Sequence, residues 1–169
     1  MVSGRFLRQL GANNAPSMYN GDVEEPRRAS APAGHDERMI ELSRDDFLAA
    51  LRNLSDLSRL AQTSLARLHT VDDQIRDLQL VDTPYLRGLA LYSFLAGLIE
   101  SRLTETAQRD DPRSLHWALL YCRYVQSMTL AQTSAHLALS RRSLARYLPR
   151  AVDELARTVL DIERQLLAG

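Results

Sequence analysis

The sequence predicts an all-α protein, a helical bundle behind a disordered N-terminal tail. Three observations carry that reading. Apolar residues recur at helical spacing from Ser43 onward, as in Phe47, Leu48, Leu51 and Leu54. Strong helix-start signals punctuate the chain, notably Thr83-Pro84 and Asp111-Pro112. No strand-like alternation of apolar and polar residues persists anywhere. At 169 residues, with 45% hydrophobic and 25% charged residues, the composition suits one soluble globular domain with a tail.

Residues 1–38 stand apart. They are rich in Gly, Pro, Ala, Asn and Ser and show little periodicity, so they are read as disordered, with Phe6, Leu7 and Leu10 as a short sticky turn. His35 in this tail is read as exposed and unengaged. Residues 39–110 form an N-terminal helical segment. Ser43 caps its first helix, and Asp45 and Asp46 favour the positive helix end. Leu57, Leu60 and Ala61 make a second short helix after Asp56, and Ser64 caps a third carrying Leu65 and Leu68. Val71 to Leu80 is weakly amphipathic through Ile75 and Leu78, and reads as helix or ordered loop. Thr83 and Pro84 then open the most hydrophobic helix, Tyr85 to Ala107. Leu86, Leu89, Ala90, Phe94, Leu95, Leu98, Ile99 and Leu103 cover most of its circumference, which places it centrally.

Residues 111–169 carry the functional signal. Asp111-Pro112 opens a helix bearing Leu115, Trp117, Leu119, Leu120 and Tyr124. From Pro112 to Val152 there is no Asp or Glu, but there are six Arg: Arg113, Arg123, Arg141, Arg142, Arg146 and Arg150. The whole chain is formally neutral, so the balancing negative charge lies elsewhere. Segregation of that kind is the electrostatic footprint of a nucleic-acid-binding face. All 21 basic residues are Arg, and each offers a planar fork suited to phosphate and guanine. The local grammar is that of a helix-turn-helix. Thr129 is an N-cap, and Leu130, Thr133, Ser134 and Leu137 follow at helical spacing. Ser140 is a second N-cap. After it, Leu144 and Leu148 face the core, while Arg141, Arg142, Ser143, Arg146 and Tyr147 face out. Small residues at Ser134 and Ala145 permit a close helix crossing.

The stretch LLYCRYVQSMTLAQTSAHLALSRRSLARYL resembles the helix-turn-helix of region four of bacterial sigma factors and its relatives in response regulators. Thr129, Leu130, Leu137, Leu139, Ser140, Arg142, Ser143 and Leu144 carry the match. The longer span from Ser43 to Leu166 is similar to small bacterial regulators in which such a motif follows a helical segment, in some cases attached to signalling NTPases. The resemblance implies a bacterial, cytoplasmic, sequence-specific regulator of transcription that binds double-stranded DNA. Its recognition helix, from Arg141, enters the major groove. Arg141, Arg142, Ser143 and Arg146 are then candidates for base and nearby phosphate contacts. Thr129, Gln132, Arg123 and Arg150 are candidates for holding the backbone and setting register. The family usually has Gly where this chain has Ala138, and often where it has Ser127. A side chain in left-handed backbone costs roughly 1 kcal/mol, so strain is expected at the turn. Acidic residues common early in the family's first helix are here Ala131 and Gln132.

The final helix carries a second pattern. Leu148, Val152, Leu155, Val159, Ile162 and Leu166 are spaced 4, 3, 4, 3, 4, a heptad seam that Leu160 and Leu167 widen. Two readings stay open, packing against the protein's own N-terminal helices and a homodimer interface. Pro149 predicts a kink or break after the recognition helix. A second function class also stays open. In it the helix-turn-helix is a scaffold, and the central helix or the seam binds another protein in a bacterial signalling complex. The four Arg of 141–150 discriminate, because a DNA reader needs them exposed on one face and a scaffold buries or pairs them.

Catalysis finds no support. His69, His116 and His136 are scattered, and no metal-site spacing, Gly-rich phosphate loop or nucleophile elbow is present. The pairs Asp45-Asp46, Asp72-Asp73 and Asp110-Asp111 read as caps and solvated surface. No enzyme, metal or cofactor is expected. Cys122 is the one cysteine, read as a buried structural thiol. No apolar run reaches the roughly 18 residues of a membrane span, and no signal peptide is read.

Overall fold

The computed structural model describes residues 41–79 and 81–168, and the expected tail, with Phe6, Leu7, Leu10 and His35, lies outside them. Ser43 starts the first helix through a capping box. Its hydroxyl accepts from the Asp46 N–H, and the Asp46 carboxylate accepts from the Ser43 N–H at 2.8 Å, at the head of α1 (Arg44–Arg52). Asp56 caps α2 (Leu57–Leu60) by accepting from the Arg59 N–H at 3.1 Å. Ser64 behaves differently from expectation. It lies inside a 3-10 turn (Ser64–Arg67), and its hydroxyl donates to Asp46 Oδ1 at 2.7 Å, tying the turn to α1. The weakly amphipathic stretch that follows is helical, α3 (His69–Asp77).

Thr83 caps α4 (Pro84–Gln108), whose first residue is proline as expected. Asp111-Pro112 does not open the next helix directly. The Asp111 carboxylate accepts from the Arg113 N–H and its carbonyl from the Ser114 N–H, each at 2.8 Å, so one turn precedes α5 (Ser114–Leu120). That helix runs into a π-helical turn (Tyr121–Val125). Then come α6 (Leu130–His136) and α7 (Arg141–Leu167). There is no strand among the described residues.

The helix α4 is central, with α2, α3 and α5 packed on it, and α7 packs on α5, α1 and α3. One core results. It joins Phe47, Leu51 and Leu54 to Leu91, Leu95 and Ile99, and these to Trp117, Leu120, Val152, Leu155 and Val159. Each large apolar side chain buried there stabilises the fold by about 1.5–3 kcal/mol. The core draws on both sides of residue 110, so packing marks no division there. Gly88 lets α4 pass close to α2, because a Cβ on it would overlap the Leu57 carbonyl.

Three features of α7 depart from expectation. First, the helix runs unbroken through Pro149. The carbonyl that loses its N–H partner belongs to Ala145, which is exposed, so water can replace the bond, while buried Leu144, Ala151 and Val152 hold both flanks. Second, Ala145, expected in the helix crossing, faces outward instead. Third, the seam is buried only in part. Val152, Leu155 and Val159 are 0% exposed within the protein's own core, Leu148 and Ile162 are half-buried, and Leu166 is 45% exposed. The central knobs of the seam are packed inside one chain, which is the packing reading, and no copy of the chain is needed to bury them.

The buried stripe instead continues from Val159 to Glu163, only 7% exposed. Its carboxylate accepts from the His69 N–H and the Thr70 N–H, each at 2.9 Å, and from the Thr70 hydroxyl. The His69 ring Nδ1 lies 3.3 Å away. Leu68, at the N-cap of α3, has no side-chain acceptor to offer, so α7 supplies the cap from 94 residues downstream.

Candidate nucleic-acid interface

The entry to α7 is built by local hydrogen bonds. Thr129 and Gln132 form a reciprocal capping box. The Thr129 hydroxyl accepts from the Gln132 N–H at 3.2 Å, and the Gln132 side chain accepts from the Thr129 N–H at 2.8 Å. Thr133 is fully buried and satisfied, donating to the Thr129 carbonyl at 2.9 Å. Ser134 closes the turn. Its carbonyl accepts from the Leu139 N–H at 2.9 Å and its hydroxyl donates to the Leu139 carbonyl. Ser140 then caps α7, accepting from the Ser143 N–H at 3.0 Å and sharing a bond with the Ser143 hydroxyl at 2.9 Å.

Ser127 and Ala138 both adopt left-handed backbone, with φ of 54° and 52°. These are the two positions at which glycine would be expected. Each costs about 1–2 kcal/mol relative to ordinary backbone. The bonds around Ser134 and the buried Leu144 hold the turn against that cost.

Arg141, Arg142, Arg146 and Arg150 are all exposed, and none forms an ion pair with another described residue. Arg142, Arg146 and Arg150 follow at i, i+4 and i+8, one row along the helix. The other two arginines of the basic stretch are engaged within the chain. Arg113 Nη2 lies 2.7 Å from Asp111 and its Nη1 3.7 Å from Glu154. The guanidinium holds the Asp111 carboxyl below the usual carboxylate range, mainly by side-chain hydrogen bonding. Arg123 is half-buried, donates to the Met128 carbonyl at 2.7 Å and lies 5.6 Å from the Tyr124 ring centroid. At least part of its fork therefore fixes the turn before α6.

The candidate residues thus divide. Arg141, Arg142, Arg146 and Arg150 present charge that is unpaired among the described residues. Thr129, Gln132 and Ser143 use their side chains on caps, so their contribution to a partner is chiefly the placement of the helix starts. Two residues outside the candidate set adjoin this face. Tyr147 receives a hydrogen bond from Arg146 Nη2 at 2.9 Å, and the His116 ring on α5 lies 6.1 Å from the Tyr147 ring. The lone aromatic among the arginines was the available signal for Tyr147. Nothing local pointed to His116. Cys122 is buried, as expected, and burial pushes its thiol pKa up, which keeps it protonated and unreactive.

No family model, no curated protein and no solved structure matches this chain. Among the described residues, no helix is long and apolar enough to cross a membrane.

Proposed function

We propose that this protein is a sequence-specific DNA-binding regulator of transcription. In this reading α6, its turn and α7 act as a helix-turn-helix, and the start of α7 enters the major groove. One observation carries the reading. Four arginines on the first three turns of α7 are exposed without an ion pair among the described residues, in a stretch from which acids are absent, whereas Arg157 and Arg164 farther along the same helix are both paired. A scaffold has no use for that unscreened repulsion, whereas polyanionic DNA offsets it by releasing counterions. Of the four non-glycine residues with left-handed backbone, Gln79, Asp110, Ser127 and Ala138, the last two fall where the resembling family places glycine, which adds support.

Selection of genomic fragments by the purified full chain tests the proposal. The expected result is enrichment of one short motif. Failure to retain any duplex at low salt sinks it.

A second reading keeps one specific observation. Leu78, Val81 and Tyr85 are 44%, 78% and 59% exposed around the connection from α3 to α4. Apolar exposure there suits a protein partner. Selection that enriches no DNA, with a partner captured through this patch and lost on Val81→Asp, favours that reading.

A further inference from the structure

Within the row Arg142, Arg146 and Arg150, the middle residue is held differently from its neighbours. Arg142 and Arg150 make no hydrogen bond to another described residue. Arg146 donates from Nη2 to the Tyr147 hydroxyl at 2.9 Å, and its Cζ lies 4.7 Å from the Tyr147 ring centroid. Adjacent residues on a helix point in different directions, so this contact requires the Arg146 side chain to fold across the helix surface onto the ring. The cation–π contact and the hydrogen bond together hold the guanidinium over the ring.

Tyr147 can serve as that platform because it is itself wedged. It is half-buried, and the His116 ring of α5 lies 6.1 Å away, tilted by 49°. The His116 Nδ1 is buried without a hydrogen-bond partner among the described residues. The chain of contact runs from the α5 core helix, through His116 and Tyr147, to an exposed arginine.

A phosphate contact needs only charge and tolerates a mobile side chain. A base contact needs a fork in a set plane, with two donors on the guanine N7 and O6. Tyr147 occupies one of the five guanidinium donors, and the others leave an adjacent pair for that purpose. We infer that Tyr147 is a positioning residue that holds Arg146 ready to read a guanine, and so governs sequence preference more than overall affinity. This rests on the DNA-binding reading above. Arg141, Arg142 and Arg150, which make no hydrogen bond to another described residue, then serve the phosphates.

The test uses the full chain as wild type, Arg146→Ala, Tyr147→Phe and Tyr147→Ala, with circular dichroism to verify folding. Without DNA, nuclear magnetic resonance of the Arg146 Nε–H reads the stack directly. It should be ring-shifted and slow in the wild type and should relax in Tyr147→Ala. An Arg146 side chain as mobile in the wild type as in Tyr147→Ala overturns the inference. With DNA, affinities are measured for the wild-type selected duplex and all its single-base variants. Tyr147→Ala should cut discrimination by about 3–10-fold at the same base pair that Arg146→Ala relaxes, and Tyr147→Phe, which keeps the ring, by less. If Arg146→Ala relaxes one position while Tyr147→Ala keeps full discrimination there, or weakens every sequence alike, the positioning role fails and the DNA-binding reading stands. If the wild type binds no duplex, that reading fails and this inference goes with it.

Discussion

The two halves of α7 both carry arginine and do opposite things with it. From Arg141 to Arg150, four arginines are exposed without an ion-pair partner among the described residues, and Leu144 is the only side chain buried to 3% exposure. From Ala151 onward, Ala151, Val152, Leu155 and Val159 are fully buried. Arg157 and Arg164 each pair with an acid three residues before them, and Asp153 pairs with Arg44 of α1. The difference teaches that arginine itself is not the signal. What marks a candidate binding face is arginine from which acids have been withheld. An isolated helix shorter than about 12–15 residues is marginal in water, so the charged half depends on the packed half for its shape.

The largest effect should come from the packed half. Val159→Asp places an unpaired charge at a fully buried position and should cost about 4–5 kcal/mol, at least about a third of the roughly 5–15 kcal/mol that holds an ordinary domain together. Circular dichroism should show loss of cooperative helicity. A variant that stays folded and merely changes its mass in light scattering would make the seam an interface.

The charged half is tested by salt. Three phosphate-neutralising arginines, with Arg146 on a base, predict a log–log slope of about −2.7, or about 40-fold weaker binding between roughly 50 and 200 mM salt. Replacing Arg142 and Arg150 together by Ala should flatten the slope by about 2, whereas Arg157→Ala and Arg164→Ala should leave it in place. Equal flattening by both pairs erases the contrast between the halves.

Next in size is the cap. Glu163→Ala leaves the first N–H groups of α3 without their acceptor and should cost about 1–3 kcal/mol in urea unfolding. Glu163→Gln should cost less, since its amide oxygen can keep one bond. An unchanged midpoint in both variants refutes the capping role. The smallest effect sharpens the entry to the charged half. Ala138→Gly relieves left-handed strain and should raise stability by about 0.5–1 kcal/mol after the extra freedom of the unfolded chain is counted. A lower melting temperature contradicts the strain.

The legible parts of the fold share one property, which is that their causes are local. Ser43, Thr83, Thr129 and Ser140 each bind an N–H three residues on, and those helix starts follow from the residue type. The exposed row of Arg142, Arg146 and Arg150 follows from helical spacing. What could not be read depends on residues far apart in the chain. Nothing near Arg113 announces Glu154, and nothing near Arg123 fixes which way its fork turns. The continuity of α7 through Pro149 depends on core contacts on both flanks. For Glu163 two signals did exist. It stands four residues after Val159 as a lone acid on an apolar stripe, and α3 begins at Leu68 with no residue able to cap it. Neither signal says which helix start the acid serves.

The Glu163 cap also orders events in time. The ribosome adds about 5–20 residues per second, so the 94 residues between His69 and Glu163 take about 5–20 s to appear. Throughout that interval the head of α3 has no carboxylate to receive its N–H groups. The α1–α3 region can collapse early but settles only when α7 arrives, so hydrogen exchange at His69 and Thr70 on stalled nascent chains should remain fast until Glu163 has left the exit tunnel.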